Sequence, residues 1–223
     1  MKIAAAAYPI DWFDSFADYE AKLSRWVADA AGADLLVFPE YGAMELASLG
    51  GRDVAGDLEA SLHEAAKHWP QVHALHLRLA ARHGCHILGA SGPVFEGARP
   101  VNRAMLYGPE GLIGHQDKQI MTRFEREDWD VTDAPGLRVF VTTLGRIGIL
   151  ICYDSEFPLL GRVLAGNRDH RGRRHGPTGL GHGRGRSVPR GRKPQERRGL
   201  ALCPLARKRR RGPDRLTRTE TIS

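Results

Sequence analysis

The chain has 223 residues, 42% of them hydrophobic, and a formal net charge of +7, enough length for one sizeable domain or two small ones. Its three cysteines, Cys85, Cys152 and Cys203, show no pairable spacing, which argues against a disulfide scaffold. No apolar run approaches the roughly 18 residues of a membrane span, so a reducing, cytoplasmic setting without a membrane partner is expected.

KIAAAAYP (2–9) is a short apolar run closed by Pro9 and is predicted as a buried first strand rather than a signal peptide. In the following segment Phe16, Tyr19, Leu23, Trp26, Val27 and Ala30 fall at helical spacing, with Gly32 expected near the C-cap. LLVFPE (35–40) is a second strand stopped by Pro39. Residues 57–83 carry helical periodicity divided by Pro70 into two helices. CHILGASG (85–92) is a third strand. VNRAMLYGPEGLIGHQDK gives two strands around a Gly-Pro-Glu-Gly turn, and LRVFVTTLGRIGILICYD another pair turning near Leu144. PLLGRVLA then begins a helix, with Pro158 in its first turn. Strands this apolar need cover on both faces, and the order predicts a layered α/β sandwich.

Three of these strands lead into a reactive side chain: Glu40 ends LLVFPE, Lys118 follows LIGHQD, and Cys152 ends GRIGILIC. Open α/β sheets place ligands beyond the carboxyl ends of their strands, so the three are expected to meet in one cleft. A thiol must lose its proton to become a strong nucleophile. A nearby carboxylate can accept that proton, and an ammonium can stabilise the oxyanion formed on attack at a carbonyl or nitrile carbon.

FPEYGAMEL, DKQIMTRFERE and GILICYDSEFP resemble the three signatures of the nitrilase superfamily of carbon-nitrogen hydrolases, in the family's order and approximate separation, over residues 1 to about 165. The resemblance implies a four-layer α-β-β-α sandwich that associates as a homo-oligomer through its outer helices. It implies hydrolysis of a small-molecule amide, nitrile or N-carbamoyl group through a thioester, with no metal or organic cofactor. By the same resemblance Glu40 is the general base, Lys118 stabilises the tetrahedral intermediate, Cys152 is the nucleophile and the Tyr153 backbone N–H is a further oxyanion donor. Glu125 corresponds to an additional family glutamate that positions substrate or shuttles protons. It lies one residue closer to Lys118 than the usual pattern, which leaves Glu127 as the alternative.

Other polar residues receive plainer readings. Cys85 is expected to be a small core residue. Asp154 and Glu156 are expected to make structural hydrogen bonds, with Asp154 bracing the turn after the nucleophile, while Glu45 and Arg123 are candidates for the pocket edge. His63, His68, His73, His76, His83 and His86 are read as a solvated helix face rather than metal ligands, because no carboxylate or thiol recurs at ligand spacing.

The composition breaks near residue 166. Residues 1–165 carry 15 Lys and Arg against 22 Asp and Glu, a balance of −7, whereas residues 166–223 carry 18 against 4, a balance of +14. The latter 58 residues contain 16 Arg, no aromatic residue and seven large aliphatic ones, too few to offset chain ordering at roughly 1–2 kcal/mol per residue. They are expected to be a disordered Arg/Gly/Pro-rich tail that leaves the hydrolase domain incomplete and the chain weakly active or inactive. Two origins fit that composition. One is a shifted reading frame in a GC-rich gene, yielding an inert product; the other is a basic segment that binds nucleic acid through phosphates.

Overall fold

The computed structural model describes residues 1–134, 136–166 and 219–221, the last three as backbone. The readings of residues 166–223 as disordered, frameshifted or RNA-binding lie almost wholly outside the described residues.

Strand β1 (Lys2–Ala5) leads to helix α1 (Phe16–Asp29), which the Ser15 side chain caps by accepting from the Asp18 N–H. Its buried stripe is Tyr19, Leu23, Trp26 and Val27. The helix ends at Ala30, before Gly32, whose φ of +85° lies in the turn that follows. Strand β2 (Leu35–Val37) is followed by a 3-10 segment (Gly42–Gly50), α2 (Gly51–Gly56), α3 (Leu58–Lys67) and α4 (Trp69–His83). Asp57 caps α3 by accepting from the N–H groups of Glu59 and Ala60, and Pro70 sits in the first turn of α4 where its missing donor is harmless.

Strands β3 (His86–Leu88), β4 (Gly92–Phe95), β5 (Pro100–Gly108) and β6 (Gly111–Asp117) complete the larger sheet. Its order is β4-β5-β3-β2-β1, with β6 also paired to β5. β1, β2 and β3 are parallel, while β4 and β6 run antiparallel to β5. A short helix α5 (Arg123–Glu127) precedes the hairpin of β7 (Val139–Thr142) and β8 (Gly145–Gly148), and α6 (Pro158–Gly166) follows. Strand β9 (Thr219–Thr221) lies antiparallel on β1.

Period-two alternation sorts the strand residues between two cores. Ala4, Leu36, Ile87 and Tyr107 point toward α1 and α4 and join the larger hydrophobic cluster. Leu35, Ala104 and Leu106 point the other way and pack with Phe140, Ile149 and Ile151. On the opposite face of the hairpin, Val139, Gly148 and Leu150 line a cavity with Leu164 and Ala165 of α6. The resulting order is helices, large sheet, small sheet, helix, the expected α-β-β-α layering. Each fully buried Leu or Ile contributes about 1.5–3 kcal/mol, so both cores stabilise the sheet between them.

The details depart from expectation in three places. The strand leading to Cys152 stops at Gly148, because Ile149–Ile151 have no ladder partner among the described residues, and Cys152 begins a 3-10 turn (Cys152–Glu156). The elements β4, α2 and α5 add to those expected from the sequence. His76 and His86 are buried, at 2% and 5% exposure, instead of lying on a solvated face. His76 stacks on Tyr107 and hydrogen-bonds the Val72 carbonyl, and burial pushes its imidazole down to about 4. Cys85, as expected, is buried in the larger core.

Candidate active site

Glu40 lies three residues beyond β2, and the backbone turns sharply after it. Tyr41 takes a φ of +53°, and its N–H donates to Ser91 Oγ at 3.1 Å. Lys118 follows the last residue of β6. Its neighbour Asp117 is held by a bidentate pair with Arg103 of β5, at 2.6 and 2.8 Å, and the Lys118 N–H donates to the Asn102 carbonyl. Cys152 has a φ of +47°, a conformation that costs a non-glycine residue free energy and clusters at functional positions. Asp154, wholly buried, holds the turn after Cys152. It accepts from the N–H groups of Ile120 at 2.8 Å, Gln119 at 3.1 Å and Ile151 at 3.2 Å.

The fold brings the three strand ends together. Lys118 Nζ lies 2.6 Å from Glu40 Oε1 and 2.6 Å from Glu125 Oε2, with its side chain fully buried. Cys152 lies close enough for the charges of Glu40 and Lys118 and the Tyr153 N–H to act on its thiol. Cys152 itself is exposed. Glu127 is elsewhere: it is exposed and pairs with Arg123 on the outside of α5. Glu45 does not edge this cluster either. It accepts from Tyr8 and Lys22 in a separate buried network beneath α1.

The two carboxylates differ in how they are held. Among the described residues Glu125 collects five donors: Lys118 Nζ, the Thr122 N–H at 2.8 Å and the Thr122 hydroxyl at 2.7 Å on Oε2, with the Tyr41 hydroxyl at 2.8 Å and Asn102 Nδ2 at 3.3 Å on Oε1. The pattern Thr122-Arg-Phe-Glu125 is a capping box, so the local sequence of α5 aims this carboxylate inward. Burial pushes the Glu125 carboxyl up, but Lys118, Thr122 and Tyr41 outweigh it and hold it below the usual carboxylate range. Glu40 accepts from Lys118 and Asn102 through Oε1 and lies beside the Cys152 thiol.

Burial pushes Lys118 down, but the bonds to Glu125 and Glu40 prevail and keep its ammonium above its ordinary value. Partial burial of the thiol, then the hydrogen bond and charge of Glu40, push Cys152 up, against the opposing charge of Lys118. The resting pair is therefore a neutral thiol beside a carboxylate, an arrangement suited to proton transfer as the sulfur attacks. Asn102 and Tyr41 complete the cluster without having been singled out from sequence. For Glu125 over Glu127, the signal was present in the Thr-x-x-Glu box.

The carbon-nitrogen hydrolase family model matches residues 2–168. A probable hydrolase, YhcX, of Bacillus subtilis is 31% identical, covering 74% of this chain and 32% of its own. The bifunctional nitrilase/nitrile hydratase NIT4A of Lupinus angustifolius is 32% identical over 62% of this chain and 43% of its own. This chain thus spans a third to under a half of the length of these curated relatives. Among solved structures, a mutant amidase from Nesterenkonia sp. AN1, with acrylamide added at its active-site cysteine, shares the fold. It superposes with a TM-score of 0.54 at 20% identity, covering 75% of this chain and 63% of that one.

Proposed function

The chain belongs to the carbon-nitrogen hydrolase family, and from that premise we propose that Cys152, Glu40 and Lys118 cleave an amide or N-carbamoyl bond of a small molecule through a thioester. The observation that carries the reading is the shared ammonium: Lys118 joins Glu40 and Glu125 beside the Cys152 thiol.

In this mechanism the Cys152 sulfur bonds to the carbonyl carbon as its proton passes to Glu40. Charge develops on the carbonyl oxygen and is stabilised by the Lys118 ammonium and the Tyr153 N–H, since donors fixed beforehand need no reorganisation. Glu40 then gives its proton to the departing nitrogen, the C–N bond breaks, and an amine or ammonia leaves a thioester. A water molecule surrenders a proton to Glu40 and attacks the thioester carbon. The C–S bond breaks, the acid departs and the proton returns to the sulfur.

The test is stoichiometric acylation, read by peptide mass spectrometry after incubating the full chain with simple amides and N-carbamoyl compounds. An acyl mass on Cys152, absent from Cys152→Ala, is expected. Adducts found only on Cys85 or Cys203, or on none, would overturn the assignment.

A further inference from the structure

Asn102 is wholly buried in β5, on the face that Ala104 and Leu106 turn toward the smaller sheet. Its single amide nitrogen donates to Glu40 Oε1 at 3.0 Å and to Glu125 Oε1 at 3.3 Å. Its Oδ1 makes no hydrogen bond among the described residues. Turning the amide over would satisfy neither end, since it would set Oδ1 against two carboxylates. The orientation is therefore imposed by the two anions. A core position that leaves an acceptor orphaned in order to aim one NH2 group at two carboxylates is not explained by packing.

Resting on the assignment of Glu40 and Cys152 above, we propose that Asn102 is a positioning residue that fixes how Glu40 and Glu125 divide the Lys118 ammonium between them, and thereby tunes the proton exchange between Glu40 and Cys152. The amide adds two polarised N–H bonds and no charge. The charged and titratable groups around it are Glu40 from the β2 end, Glu125 and the Tyr41 hydroxyl across the cluster, Lys118 from the β6 end, and Cys152 beyond Glu40. With Glu125 saturated by its donors, Glu40 is the carboxylate free to take and return a proton. Without the amide, Lys118 would settle on Glu125, and its charge, which favours the thiolate, would move away from Cys152.

The test needs no substrate. The rate of Cys152 alkylation by iodoacetamide is followed against pH in the full chain, with the Cys152 peptide resolved by mass spectrometry. Asn102→Asp places a third carboxylate beside the cluster and is expected to move the midpoint up by about one pH unit. Asn102→Leu, which only removes the donors, is expected to shift it the same way by less. Asn102→Ser, too short to bridge both carboxylates, should resemble Leu and covers the case in which Leu does not fold. Val101→Ala, on the same strand, is the control for loss of packing. An unmoved midpoint in folded Asn102 variants would overturn the proposal, and so would an equal shift in Val101→Ala. Because alkylation reports the thiol alone, a shifted midpoint in a chain that no amide acylates would sink the hydrolase reading and leave this one standing.

Discussion

Asp154 accepts a 2.8 Å hydrogen bond from the backbone N–H of Ile120, so the turn that presents the thiol is fastened to the turn that presents the ammonium. Two segments more than 30 residues apart are tied by one buried carboxylate, whose remaining bonds go to Gln119 and Ile151. Asp154→Ala strands three N–H groups at once. A buried donor left unpaired costs about 1–3 kcal/mol, and urea denaturation should show a loss of at least that size. Acylation of Cys152 should fall more than thermal stability alone accounts for, because the sulfur and Lys118 lose their common brace.

Glu40→Gln separates proton acceptance from charge. The Cys152 thiol is pushed up partly by the hydrogen bond and charge of Glu40. A neutral amide at position 40 removes the charge and leaves Lys118 to favour the thiolate, so the midpoint of Cys152 alkylation should move to lower pH. Acylation by an amide should nevertheless be lost, roughly 100-fold or more, because no base returns the proton to the leaving nitrogen. Slower alkylation at neutral pH in this variant would contradict the arrangement.

Lys118→Met leaves Glu40 and Glu125 facing each other with no cation between them. Removing one partner of a buried ion pair costs about 3–5 kcal/mol, and here two carboxylates lose the same partner. A large drop in the urea midpoint is expected at pH 7. The drop should shrink as pH falls through the carboxylate range, where protonation relieves the repulsion.

Thr122→Val removes one donor to Glu125 and the N-cap of α5 together, a loss of about 1 kcal/mol. The sign of its pH dependence follows from linkage. Glu125 is held below its ordinary value of 4.5, so its contribution to stability is complete above that pH and is lost as pH falls through the lower folded value. In Thr122→Val the folded value rises toward the ordinary one. The stability gap between wild type and variant should therefore be widest at neutral pH and narrow in acid, as followed by thermal unfolding from neutral pH into the acid range. A gap that widens in acid would contradict the assignment of Glu125 as a fixed anion.

Much of this molecule was legible in its residues. The apolar runs LLVFPE and CHILG announced strands covered on both faces, because their interior positions offer almost nothing that could face water. The spacing of Tyr19, Leu23, Trp26 and Val27 announced an amphipathic helix, and the reactive residues at strand ends announced that Glu40 and Lys118 would meet. Glu125 was legible through Thr122, because a capping box is a local bond pattern that needs no tertiary information.

What the chain could not announce by itself depends on contacts between segments distant in sequence. Asn102 stands in an ordinary-looking strand, and its amide meets Glu40, 62 positions away, only because β5 and β2 share a sheet with β3 between them. β4 escaped notice because Gly92 and Pro93 are poor strand formers on their own, and pairing with β5 decides their conformation. The helical spacing of His76 suggested a wet face, but α4 is covered by Phe38 and Tyr107 on the side where it points. Sequence determined which residue types stood at strand ends. Register between strands decided which of them touch, because hydrogen bonds and ion pairs act over about 3 Å and no linear pattern specifies a separation that small.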